Sequence, residues 1–154
     1  METLSEEQVE IFNSYKNGEN IFITGPGGCG KSYLLKCIVN DMIANNKKYS
    51  VTALTGCAAI LLGIGARTIN SWAGVGLAKS SDNLIITNIS TNKYKKKNWI
   101  KTDVLIIDEV SMMSKHMFEL LDAIGKRIRN NAKPFGGIQL ILSGDFYQLP
   151  PVGD

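Results

Sequence analysis

Gly25-Pro26-Gly27-Gly28-Cys29-Gly30-Lys31-Ser32 is the stretch on which the fold of this chain turns. Its G-x-x-x-x-G-K-S spacing is that of a nucleotide phosphate-binding loop (Walker A). It stands between an apolar run, Ile21-Phe22-Ile23, and a helical pattern, Tyr33-Leu34-Leu35-Lys36-Cys37-Ile38. Strand, loop and helix in that order form the context the motif requires. The glycines let the backbone curl so that successive N–H groups converge on phosphate oxygens, and the helix start adds partial positive charge. Lys31 is placed to reach the β and γ phosphates, and the Ser32 hydroxyl to ligate Mg²⁺. A glycine-rich turn matching by chance is the competing reading, and the agreement of the fixed positions with both flanks argues against it. The loop specifies a nucleoside triphosphate and leaves open what its energy drives.

The 154 residues fit one domain, 1–154, with one sizeable core. An apolar content of 44% and a charged content of 20% suit a globular chain, and no apolar run approaches the length of a membrane span. The first residues, Met1-Glu2-Thr3-Leu4-Ser5-Glu6-Glu7, are acidic and carry no apolar signal core. An intracellular location is expected, nuclear or in the cytoplasm or nucleoid according to the organism. The three cysteines, Cys29, Cys37 and Cys57, have no metal-site spacing and read as reduced thiols. A net charge of +3 leans weakly towards polyanionic partners. The chain stops at Leu149-Pro150-Pro151-Val152-Gly153-Asp154, just past an apolar strand, and is expected to be part of a longer protein.

Outward from the loop, strands and helices alternate. Ser5-Glu6-Glu7-Gln8 fits a capping box that opens a helix to about Lys16, ended by Asn17-Gly18. Strands are expected over residues 20–24, buried on both faces, and over 49–54, 104–107 and 138–142. The helix after the loop fades at 45–48. Thr55-Gly56 turns into a short helix over 57–62. Residues 63–80 read as a glycine-rich loop with a short helix around Thr68 to Ala73, and 82–101 as a mixed segment ending in a basic run. Met117, Leu121, Ile124 and Ile128 mark one helix face, with Ser114 as N-cap. The alternation predicts a parallel α/β sheet covered on both faces, whose ligands sit beyond the carboxyl ends of its strands. Asp108-Glu109 falls at such an end, after Val104-Leu105-Ile106-Ile107, in a Walker B pattern. Asp108 is placed to hold Mg²⁺ across from Ser32, and Glu109 to polarise the attacking water. Together these residues point to nucleoside triphosphate hydrolysis rather than binding alone.

Further segments carry a resemblance. Leu4-Ser5-x-x-Gln8, Gly25 to Ser32, Ala53-Leu54-Thr55-Gly56-x-Ala58-Ala59, Gly65-x-x-Thr68-Ile69-x-Ser71-x-Ala73-Gly74, Leu105 to Met112 and Gly144-Asp145-x-x-Gln148-Leu149-Pro150-Pro151-Val152 occur in that order. They resemble the Q motif and motifs I, Ia, Ib, II and III of PIF-type superfamily 1B DNA helicases, relatives of the RecD helicases, and the likeness covers the whole chain. It implies a three-layer RecA-like P-loop domain with a mainly parallel central sheet. It further implies 5′-to-3′ movement on single-stranded DNA driven by Mg²⁺-ATP, a monomeric motor, and work in DNA replication, repair, recombination and telomere maintenance. By the same resemblance Gln8 reads adenine, and Gly25, Pro26, Gly27, Gly28, Cys29, Gly30, Lys31, Ser32 and Tyr33 cradle the nucleotide. Lys31 and Glu109 act in hydrolysis, and Gln148 senses the γ-phosphate. Thr55, Gly56, Ala58, Thr68, Asn70 and Ser71 line the path of the strand. Their uncharged groups suit a strand held without sequence preference.

Some positions depart from the family pattern. Asn70 stands where histidine is usual in motif Ib, and an asparagine still donates to phosphate or base. Cys29 replaces the commoner threonine. Its backbone N–H is what the phosphate needs, and its thiol is expected to be acidified and alkylated in a nucleotide-protectable way. The family's second RecA-like domain, source of an arginine finger, is not in this chain, so residues 1–154 are expected to fold and to hydrolyse little ATP. Other P-loop ATPases, such as a conjugative relaxase-helicase or an AAA+ loader, and a non-catalytic nucleotide- or DNA-binding module are the alternatives.

Milder readings stand beside these. Gln8 also serves as the capping residue. The run Lys93-Tyr94-Lys95-Lys96-Lys97 reads first as a solvated helix face, with phosphate contact and Tyr94 stacking as the alternative. Trp99 and Trp72 read as packing residues, with base stacking open for Trp72. Met112-Met113 reads as packing, and His116, the only histidine, carries no assigned chemistry.

Overall fold

The computed structural model describes residues 4–24, 29–76 and 80–144, without the side chains of Cys29 and Leu61. Expectations for Gly25, Pro26, Gly27, Gly28, Leu77, Asp145 and Gln148, and for the Cys29 thiol, lie outside the described residues. In chain order the elements are α1 (Glu6–Lys16), β1 (Ile21–Thr24), α2 (Cys29–Ala44), β2 (Tyr49–Ala53), α3 (Gly56–Leu62) and β3 (Arg67–Thr68). There follow α4 (Ile69–Ala73), α5 (Asp82–Thr91), α6 (Lys93–Lys101), β4 (Val104–Asp108), α7 (Lys115–Arg129) and β5 (Gln139–Gly144). Short 3-10 turns cover Val110–Met112 and Pro134–Gly137.

The strands form one sheet in the order β1-β5-β4-β2-β3, with every pairing parallel. All five residues of β4 are buried, and the two-residue period of a strand sends them alternately to two cores. Leu105 and Ile107 join Ile69, Trp72, Trp99, Leu121 and Ile124, under α4 to α7. Val104 and Ile106 join Tyr15, Leu34, Leu35, Ile38 and Met42, under α1 and α2. Each such buried aliphatic side chain contributes about 1.5–3 kcal/mol. The three-layer α/β architecture expected from the sequence is therefore observed.

Four local expectations need correction. β1 is an edge strand among the described residues, with Phe22 and Thr24 exposed and only Ile23 buried. An apolar run does not distinguish one covered face from two. The glycine-rich segment contains β3, two residues paired to Thr52 and Ala53, too short to leave a periodic signal. The mixed segment 82–101 forms two helices, capped by the side chains of Ser81 and Asn92. Met112-Met113 divides, with Met113 buried and Met112 half exposed.

α6 is held by its packing. The Trp99 indole Nε1 donates to the Ala73 carbonyl at 3.0 Å, and Asn98 Nδ2 donates to the Trp72 carbonyl at 3.0 Å. The two indole rings lie 4.6 Å apart, and Phe135 and Phe118 extend the aromatic stack. Arg129 of α7 donates through Nη1 to the carbonyls of Trp99, Ile100 and Thr102 and through Nε to that of Gly136. Gly125 of α7 and Gly136 meet backbone to backbone, and a Cβ on Gly125 would come within 2.8 Å of the Phe135 carbonyl carbon. On the opposite face of the sheet, Tyr15 donates to Asp41 Oδ2 at 2.7 Å, and Lys16 pairs with the same carboxylate. Burial pushes Asp41 up, but the hydrogen bonds from Tyr15 and Lys16 and the Lys16 and Lys47 charges outweigh it and hold the carboxyl below its usual range. The Tyr15 phenol is raised, first by burial and then by its bond to Asp41.

Candidate nucleotide and nucleic-acid site

Parallel pairing brings the carboxyl ends of four strands level. Thr24 of β1 pairs with Gly144 of β5, and Ala53 of β2 pairs with Asp108 of β4. Thr55 follows β2, Thr68 closes β3 and Asp108-Glu109 ends β4, so these polar signals leave one edge. Lys31 and Ser32 lie in the first turn of α2, where backbone N–H groups have no intrahelical acceptor and the helix dipole is positive.

Lys31 Nζ lies 3.3 Å from Asp108 Oδ1, an ion pair whose two side chains are 14% and 12% exposed. At that depth the pair keeps two charges compensated that would each be costly alone. The Ser143 hydroxyl, fully buried on β5, donates to the same Oδ1 at 2.7 Å. Asp108 Oδ1 is thus held from two sides, while Oδ2 takes no hydrogen bond among the described residues. A hydroxyl at Ser32 and a carboxylate at Asp108 are hard oxygen donors of the kind Mg²⁺ takes, so the residues present fit that ion. Ser143 was not singled out from the sequence, because a serine inside an apolar strand carries no motif signal. Beside it, the Ser111 hydroxyl is buried without a partner among the described residues, and a Cβ on Gly144 would sit 3.3 Å from it.

Glu109 is the first residue beyond β4 and takes φ 58°, ψ 35°, the left-handed region. A non-glycine residue there costs about 1–3 kcal/mol, a strain that concentrates at functional positions. The turn aims the half-buried carboxylate towards β2, and the Thr55 hydroxyl lies 3.4 Å from Glu109 Oε1. The same hydroxyl accepts the Ala58 N–H at 3.1 Å and caps α3. Thr55 therefore joins the acid expected to activate water to the element expected to carry the strand.

Farther along the edge, Thr68 caps α4 by accepting the Ser71 N–H, and Ser71 is exposed. Gly56 is exposed as well. Ala58 is buried against Ala53, Ala59 and Ala66, and its N–H is already taken by Thr55. Asn70 Nδ2 donates to the Gly76 carbonyl at 2.7 Å, so the amide ties its own loop together. Arg67, which the sequence reading passed over, reaches the Ser71 hydroxyl at 3.1 Å from β3. At the other end, Gln8 Oε1 accepts the Ser5 N–H at 2.8 Å, completing the capping box. A side-chain carbonyl oxygen has two lone pairs, so this bond is compatible with a second donor. Tyr33 is half-buried in the first turns of α2.

Comparison with known proteins agrees with this arrangement. The chain is 42% identical over 151 residues to the ATP-dependent DNA helicase PIF1 of Saccharomyces cerevisiae, covering 97% of this chain and 17% of that protein. It matches a crystal structure of Pif1 helicase from Candida albicans with a TM-score of 0.90 and 44% identity, over 99% of this chain and 35% of that one. A Pif1 helicase from Bacteroides, crystallised with ADP-AlF3 and single-stranded DNA, matches with a TM-score of 0.79 and 31% identity, over 100% of this chain and 35% of that one. With the family profile matching residues 3–154, the chain belongs to the PIF1-like helicases.

Proposed function

We propose that this chain is the ATP-binding motor domain of a DNA helicase that moves 5′ to 3′ along single-stranded DNA. The observation that carries the reading is the contact of Thr55 Oγ1 with Glu109 Oε1, because it links the hydrolytic acid to the strand-side helix α3. The relatives' names, with the complex of ADP-AlF3 and single-stranded DNA in a homologue, support it.

In this reading Gly25 to Gly30 wrap the phosphates, Tyr33 and Gln8 border the base, and Lys31 exchanges Asp108 for the β and γ phosphates. Ser32 and Asp108 would hold Mg²⁺, which would supply charge neutralisation at the phosphates. Glu109 accepts the proton of the attacking water as its oxygen bonds to the γ phosphorus. The bond from that phosphorus to the bridging oxygen breaks, and ADP and phosphate leave. Gln148 reports the γ-phosphate to the strand-side elements. Thr55, Gly56, Thr68 and Ser71 offer hydroxyls and backbone N–H groups to the strand, and the Asn70 amide shapes their loop. A second RecA-like domain supplies the arginine and works with this one in a monomeric intracellular motor.

Glu109→Gln keeps the size and hydrogen bonding of the side chain and removes its basicity. In the intact protein it is expected to bind ATP as the wild type does and to lose DNA-stimulated hydrolysis by about 10²-fold or more. Turnover near the wild-type rate, measured by phosphate release, would remove Glu109 from the role of base.

A further inference from the structure

The basic run that the sequence left as a solvated face has a defined place in the fold. α6 carries five lysines, Lys93, Lys95, Lys96, Lys97 and Lys101. With those set aside, the chain has 12 basic residues against 14 acidic ones, so its whole positive surplus sits in this helix. None of the five enters an ion pair among the described residues. The nearest acid along the chain, Asp103, lies beyond the helix end. Lys93, Lys97 and Lys101 are exposed and four residues apart, which sets them in one row at about 6 Å per step. Tyr94, beside that row, is 84% exposed.

This arrangement works against the helix itself. Like charges four residues apart destabilise it by about 0.2–0.5 kcal/mol per pair, and Lys93 faces the positive end of the dipole. α6 persists because Trp99 is buried and Asn92 caps it. Local rules broken without local compensation mark functional surface. The stem of Lys95 lies against Gly74, the C-cap of α4, where a Cβ would come within 3.1 Å of it. The lysine helix is therefore fastened to the end of the motif Ib helix.

We propose that α6 is a second contact surface for single-stranded DNA, continuing the path from Thr68 and Ser71, with the row of lysines on phosphates and Tyr94 stacked on a base. The proposal rests on the DNA-motor reading and adds a site to it. Successive phosphates paired with successive lysines, and an exposed ring between them, make a sequence-tolerant platform.

The test is fluorescence anisotropy of the intact protein with a labelled oligothymidylate between 50 and 200 mM salt. The triple variant Lys93→Gln, Lys97→Gln, Lys101→Gln is expected to bind about tenfold more weakly, with the salt slope reduced by about 2. Tyr94→Ala is expected to weaken binding about tenfold with the slope unchanged. Lysine-to-arginine replacement at the three positions should keep both affinity and slope. A triple glutamine variant with wild-type affinity and slope overturns the proposal while leaving the helicase reading intact. Loss confined to a blunt duplex, with single-strand binding unchanged, overturns it in favour of duplex holding. Failure of the wild type to bind any single strand removes both.

Discussion

At the scale of single residues, Thr55 makes two contacts with one hydroxyl, and the proposed function rests on one of them. Its hydroxyl closes the first turn of α3 and touches the Glu109 carboxylate. Thr55→Val keeps the shape and removes both interactions, whereas Thr55→Ser keeps both. The valine variant is expected to lose about 1 kcal/mol of stability with the cap. It is also expected to uncouple hydrolysis from the strand, so that the ratio of turnover with and without single-stranded DNA falls towards one. Serine should restore the ratio. A valine variant that loses stability but keeps the full ratio would leave Thr55 a cap and nothing more.

At the scale of elements, the joint between α7 and the Pro134–Gly137 turn leaves no room for a side chain. Gly136 has φ +65°, and a Cβ there would collide with the Gly125 carbonyl oxygen and come within 2.9 Å of Arg129 Cβ. Gly136→Ala is expected to cost about 2–4 kcal/mol, read as a fall of 5 °C or more in the melting temperature. An unchanged melting temperature would show that the joint opens freely. How far each element was legible follows from the same physics. β4 and β5 announced themselves through unbroken apolar runs, Val104 to Ile107 and Leu140 to Leu142, as expected of strands covered on both faces. α6 did not, because eight of its nine residues are lysine, tyrosine, asparagine or isoleucine and only Trp99 is buried. Its partners, the carbonyls of Trp72 and Ala73, are far away in sequence. Lys31, Asp108 and Glu109 were readable from spacing alone. Ser143, which steadies Asp108 from the neighbouring strand, became visible only when β4 and β5 were paired.

At the scale of the molecule, the carboxyl edge of the sheet runs from the phosphate-loop side at β1 to the strand side at β3, with Asp108 and Glu109 between them. The chain's arginines bear on what this edge can do. Arg129 is committed to backbone carbonyls. Arg127 lies exposed in the last turn of α7. Arg67 is on β3, four strand spacings or about 19 Å from β1. None of the three is placed to reach a γ-phosphate from the loop side. Residues 1–154 expressed alone are therefore expected to bind ATP and to turn it over far more slowly than the intact protein. DNA-stimulated turnover at the full rate from residues 1–154 would contradict this. The Arg129 clamp has a different consequence. It joins α6 to α7 by a cation held on neutral carbonyls rather than on a carboxylate, and such a joint has no opposing charge for dissolved ions to screen. DNA contacts made by lysine on phosphate weaken steeply as salt rises. Ionic strength would therefore strip a bound strand from the lysine helix while the mounting of that helix stays closed.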